Sequence, residues 1–197
     1  VMAIVKPSSD RISAPCEHFG TCGGCVWQDV QYETQLEFKR RNVADVFERI
    51  GNMESPQVLQ PVASPQIFHY RNKMEFAFGG EAGSIKLGLR GRALPGLQYH
   101  LRTAALQRCL IFGGAVKAVF PTTLAFADGT GLPPYDPFGQ KGFFRNLVLR
   151  EGKATGEILA VLVTKSADAA GNGVRDWAEK LLREAPEVKS VWSAVNE

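Results

Sequence analysis

The sequence predicts an α+β protein: a mostly antiparallel sheet with packed helices, preceded by a cysteine-rich loop. Three observations predict it. Apolar residues recur at helical spacing in separated stretches of the chain, and from Tyr70 onward the period changes to apolar–polar alternation. Short Gly-containing loops join the alternating stretches, as hairpins require. Three of the four cysteines crowd into "CEHFGTCGGC", from Cys16 to Cys25.

The elements follow in chain order. "VMAIV" reads as a strand end, followed by the turn signal "KPSSD". After the cysteines, "YETQLEFKRRNVADVFERIG" carries Leu36, Val43, Val46, Phe47 and Ile50 at spacings of three, four and seven, with Gly51 as the helix stop. "RNKMEFAFG", "SIKLGLRG" and "LQYHLR" alternate as an antiparallel meander, with "GGEAGS" as the first hairpin loop. The stretch after Cys109 is mostly helical, and Pro121 is expected to start, kink or end a helix there. "GFFRNLVLREG" and "TGEILAVLVTK" form a second strand pair. "VRDWAEKLLREAP" is a helix stopped by Pro186, and "VKSVWSAVNE" is a last strand.

The bulk numbers exclude several classes. At 197 residues and 45% hydrophobic, the chain can bury a sizeable core, enough for one large domain or one and a half. Its longest apolar runs, such as "ILAVLV", fall short of the ~20 residues a membrane-spanning helix needs. "VMAIVKPSSD" lacks the features of a signal peptide, so a cytoplasmic location is expected. A net charge of +3 does not by itself argue for nucleic acid. Basic residues nevertheless gather in "KRR", "YRNK", "IKLGLRGR" and "QKGFFRNLVLR". The glycine pairs beginning at Gly23, Gly79 and Gly113 do not sit in a dinucleotide-binding fingerprint, and no P-loop is present.

The cysteines are spaced C-x5-C-x2-C at Cys16, Cys22 and Cys25, with Cys109 far downstream. Gly23 and Gly24 allow a tight bend that presents N–H groups to anionic sulfur. Four soft thiolates suit either a structural zinc or an iron-sulfur cluster. Zinc usually takes a second closely spaced Cys or His pair, which Cys109 does not provide. Disulfides are disfavoured in a chain of this size without a secretion signal.

"CEHFGTCGGCVWQDVQYETQLEFKR" resembles the iron-sulfur segment of the RNA uracil-carbon-5 methyltransferases, which make 5-methyluridine in ribosomal or transfer RNA using S-adenosylmethionine. The resemblance continues through "YRNKMEFAF", Cys109 followed by Leu110, "GLPPYDPFGQKGFFRNLVLREG", "TGEILAVLVT" and "SVWSAVNE". It implies that Cys16, Cys22, Cys25 and Cys109 ligate a 4Fe-4S cluster. It divides the chain into residues 1–15, the remnant of a preceding OB-like domain and its linker; 16–55, the iron-sulfur loop and helix; and 56–197, a central α+β RNA-recognition domain. The S-adenosylmethionine domain of the parent enzyme would begin shortly after "SAVNE". No cysteine is then left to attack carbon 6 of uracil, so this chain alone is expected to be inactive, a monomer that contacts RNA and no membrane.

Arg71, Lys73, Arg90, Arg92, Lys141 and Arg145 are candidate phosphate contacts, and Phe143 or Phe144 candidate base-stacking residues. Phe143 and Phe144 should point to opposite faces, leaving at least one in the core. Tyr70 and Phe76 fit the sheet interior, Trp177 and Trp192 the core, and Trp27 a cover over the cluster. His69 and His100 receive no role. The cluster is expected to act as a staple worth on the order of 4 kcal/mol by analogy with long-loop crosslinks. It would also leave the holo chain only weakly cationic, making RNA affinity modest and steeply salt-dependent. The rival reading is a stand-alone iron-sulfur or zinc module with a redox or structural role.

Overall fold

The computed structural model describes residues 4–92, 102–167, 171 and 173–197. Two compact units divide the chain: Val1–Phe19 with Cys25–Ile67, and Gly20–Gly24 with Phe68–Glu197.

The first unit is built around one helix, α1 (Tyr32–Arg49). The chain before it is turn-rich. It is closed by the Arg11–Asp29 ion pair and by backbone bonds from Ile12 to the Asp29 carbonyl and from Gln31 to the Asp10 carbonyl. The Gln35 amide reaches back from α1 to the carbonyls of Trp27 and Val30 at 3.0 and 2.8 Å, which fixes how the loop enters the helix. Trp27 packs edge-on against Phe38. The helix stops where predicted: Gly51 donates to the Val46 carbonyl, and a Cβ there would lie 2.6 Å from the Phe47 carbonyl oxygen. None of its residues is buried, and Val43, Val46, Phe47 and Ile50, expected on an apolar packing face, are exposed.

The second unit is a six-stranded sheet with two helices. The strands are β1 (Lys73–Glu81), β2 (Ser84–Arg90), β3 (Thr103–Ala105), β4 (Phe144–Glu151), β5 (Ile158–Thr164) and β6 (Val188–Val195), in the spatial order β3-β2-β1-β4-β5-β6. The β1–β2 hairpin turns through Ala82 and Gly83, where Gly83 takes φ +77° in the left-handed region that glycine adopts without strain. β4 and β5 form the expected second hairpin.

The sheet is mixed where the sequence predicts a mostly antiparallel one. Its β5–β6 pair is parallel, because the connection after Thr164 carries α3 (Gly173–Glu184) and returns the chain in the same direction. The third strand also differs: the predicted "LQYHLR" lies outside the described residues except for Arg102, and the strand paired with β2 is Thr103–Ala105.

The core lies between this sheet and its helices. Phe76 of β1 meets Phe120 of α2 (Ala115–Thr130) edge-on at 4.9 Å, and Phe126 of α2 bridges Phe144 and Trp177. Trp177 is buried as expected, and its indole N–H donates to the Thr123 hydroxyl at 3.1 Å. Such a partner is what makes burying an indole tolerable. Pro121 sits inside α2, rather than at either end, and has no N–H to offer the Lys117 carbonyl. Asp128, in the last turn of α2, accepts the Ile85 N–H of β2 at 2.8 Å and ties helix to sheet. No helix among the described residues is long and apolar enough to cross a membrane.

Candidate functional site: thiols and a basic, aromatic surface

None of the four cysteines is in a disulfide, and each is held by different local structure. In the second unit, residues 21–23 run alongside the end of β2. Gly23 donates to the Arg90 carbonyl at 2.9 Å, Arg92 donates to the Thr21 carbonyl at 2.8 Å, and Cys22 opposes Gly91. A Cβ on Gly23 would lie 2.8 Å from the Arg90 oxygen, and one on Gly24 would lie 2.6 Å from Leu89 Cδ1. Gly23 is therefore needed for close approach to the β2 backbone, rather than for a left-handed bend, whereas Gly24 meets only the movable end of a leucine side chain. The Gly24 N–H faces Cys22 Sγ at 3.4 Å.

Cys22 and Cys109 are nearly buried, at 9% and 8% exposure. Cys109 opens the turn before α2, where its carbonyl accepts the N–H groups of Phe112 and Gly113. In the first unit, Cys16 accepts the Phe19 N–H on its carbonyl, and Cys25 Sγ accepts the Gln28 amide N–H at 3.0 Å. Among the described residues, no group of three or more His, Cys, Asp or Glu side chains is arranged as a site for a metal ion.

The basic candidates fall into separate places on the second unit. Arg71 and Lys73 lie at the start of β1 and are exposed; Arg71 bonds Met74 Sδ and Lys73 pairs with Glu75 at 2.6 Å. Arg90 and Arg92 follow at the end of β2, and burial pulls the Arg90 guanidinium below its ordinary value. An arginine lowered in this way still carries its charge at neutral pH. Lys141 and Arg145 belong to a third place, the loop before β4 and its first turn of strand. Lys141 is exposed, and Arg145 donates to the Asn196 carbonyl at 2.8 Å.

The aromatic candidates are corrected. Phe143 and Phe144 are 3% and 0% exposed, packed against one another at 4.9 Å, with Phe144 also against Phe78 and Phe126. Neither ring offers a face to a base. Strand alternation fails to separate them because Phe143 precedes β4 and the β4–β5 register shifts just after Phe144. Tyr70 and Trp192, expected in the interior, are exposed, whereas Phe76 is fully buried. His69 lies outside any strand with φ +58°, and His100 is outside the described residues.

One grouping was not read from sequence. The Tyr135 ring carries the Arg145 guanidinium at 4.0 Å and the Lys165 ammonium at 5.4 Å. The aromatic residues inside the turn-rich "PPYDPFGQKG" were the available signal.

The described geometry sets thiol donors and scattered cations on a mixed α+β sheet, and comparison with known proteins places that fold. No family model matches the chain. It is 35% identical over 188 residues to an uncharacterized RNA methyltransferase of Nitratidesulfovibrio vulgaris, covering 95% of this chain and 39% of that protein. It is 32% identical over 196 residues to another from Thermotoga maritima, covering 100% of this chain and 42% of that protein. The crystal structure of Pyrococcus abyssi tRNA (uracil-54, C5)-methyltransferase in complex with S-adenosyl-L-homocysteine superposes with a TM-score of 0.64 at 26% identity, covering 88% of this chain and 36% of that one. The chain is thus similar to proteins named RNA methyltransferases, and it spans about two fifths of the length of the curated relatives it matches.

Proposed function

We propose that this chain supplies the cluster-bearing and RNA-recognition portion of an S-adenosylmethionine-dependent RNA (uracil-5-)-methyltransferase. The observation that carries the reading is similarity along 95% and 100% of the chain to proteins named RNA methyltransferases. A solved tRNA (uracil-54, C5)-methyltransferase with 26% identity supports the uracil specificity and the methyl donor. The RNA is ribosomal or transfer RNA, met by a monomer in the cytoplasm.

Cys16, Cys22, Cys25 and Cys109 are the ligands of a 4Fe-4S cluster in this reading. The donor chemistry fits: four thiols lie outside disulfides, and Cys22 and Cys25 each accept an N–H on sulfur, as cluster thiolates do. When bound, the cluster supplies a crosslink between distant points of the chain. The protein's own residues do the rest. Arg71, Lys73, Arg90, Arg92, Lys141 and Arg145 supply positive charge for phosphates, and contacts of that kind position an RNA without reading its sequence.

Methylation of uracil carbon 5 needs a thiolate to add at carbon 6, a methyl donor held in line and a base to remove the carbon-5 proton. With all four cysteines assigned to the cluster, these residues hold no nucleophile for that step. The test measures binding of a uridine-containing RNA and methyl transfer by the same chain. Binding that weakens as salt rises, without methyl transfer, is the expected result. Methyl transfer by these residues alone would overturn the assignment.

A further inference from the structure

The segment 133–142, between α2 and β4, is more tightly built than a passive connection requires. Tyr135 donates to the Phe144 carbonyl at 2.8 Å, Asp136 donates to the Lys141 carbonyl at 2.7 Å, and Phe143 donates to the Pro133 carbonyl at 2.8 Å. The Asp136 carboxylate accepts the N–H groups of Phe138 and Gly139, each at 3.0 Å. Gly142 takes φ +104°, and a Cβ there would lie 2.1 Å from the Pro134 oxygen. At the tip of this ordered loop Phe138 remains 63% exposed. An aromatic ring held toward water gains little for folding.

Cations gather at this loop. Asp136 is the single acid in 133–142, and both its oxygens already serve backbone N–H groups. Three cations stand around the loop. Lys141 is within it, Arg145 lies over Tyr135, and Lys165 lies over the same ring and donates to the Gln140 carbonyl at 3.2 Å. The ion pairs seen among the described residues involve none of the three.

We propose that this loop is a contact for single-stranded RNA, with Phe138 stacking on an unpaired base and Lys141, Arg145 and Lys165 facing the neighbouring phosphates. The inference rests on the RNA-recognition reading above and adds the element, the stacking residue and the strandedness of the ligand. An exposed ring beside cations is the combination that single strands use: the ring accepts any base face, and the cations follow the backbone. A duplex, whose bases are already stacked, gains nothing from Phe138.

The test is fluorescence anisotropy of the 197-residue chain with a labelled uridine-rich single-stranded RNA. Phe138→Ala is expected to weaken binding about tenfold, and Phe138→Trp to restore it. Lys141→Gln is expected to lower the slope of log K against log salt by about 0.7. Photo-crosslinking of a 5-iodouridine RNA should place the adduct in the peptide from Ala118 to Lys141. If wild type binds but Phe138→Ala binds equally well, or the adduct maps only elsewhere, the loop assignment is overturned and RNA recognition stands. If wild type binds no RNA at all, both fall.

Discussion

Phe143 and Phe144 show how far a single residue's environment outweighs its type. Both rings are packed in the core, so truncating Phe144 should remove a packing partner of Phe78 and Phe126. Phe144→Ala is expected to cost about 3–5 kcal/mol, read as a lower urea midpoint. A change below about 1 kcal/mol would show that the ring is not core. Glu37 makes the second prediction. Hydrogen bonds from Arg40 and then Arg41 hold its carboxyl at about 2, below its ordinary value of 4.5. A pKa depressed by folding contributes stability that is present above 4.5 and is lost as pH falls through about 2. An NMR titration of the Glu37 carboxyl should therefore show a midpoint near 2, and an ordinary carboxylate midpoint would contradict the two-arginine clamp.

Helices and strands were legible to different degrees. The bounds of α1 were readable because helical spacing and Gly51 act within a few residues, but its burial was not. Periodicity marks which side is apolar, not whether anything covers it. Val46 is exposed, so Val46→Thr is expected to change stability by less than about 0.5 kcal/mol in chemical denaturation. A loss of 1 kcal/mol or more would show that the side is packed. The β1–β2 and β4–β5 hairpins were readable because their alternation and glycine turns are local. The parallel pairing of β6 was not, since direction depends on where α3 docks and not on residues within β6. Trp192 was misplaced for the same reason. Its large apolar ring alone placed it in the core, while its exposure depends on what the sheet leaves uncovered.

For the whole molecule, the most informative residues were those whose chemistry does not depend on packing. Cysteine spacing is visible in the string itself, and the role of Gly23 and Gly24 near Cys22 was half readable: the Gly24 N–H does face sulfur, while Gly23 serves close approach to Arg90. The cation–aromatic grouping of Tyr135, Arg145 and Lys165 was hidden because it joins residues from a loop and two strand ends. The account stands or falls on the inorganic centre assigned to the four thiols. The direct measurement is iron, zinc and acid-labile sulfide in anaerobically prepared protein, for the wild-type chain and Cys109→Ser. The account predicts about four iron and four sulfide per wild-type chain, with a large loss of both in the variant. Zinc without sulfide in the wild type, or iron and sulfide undiminished in Cys109→Ser, would contradict it.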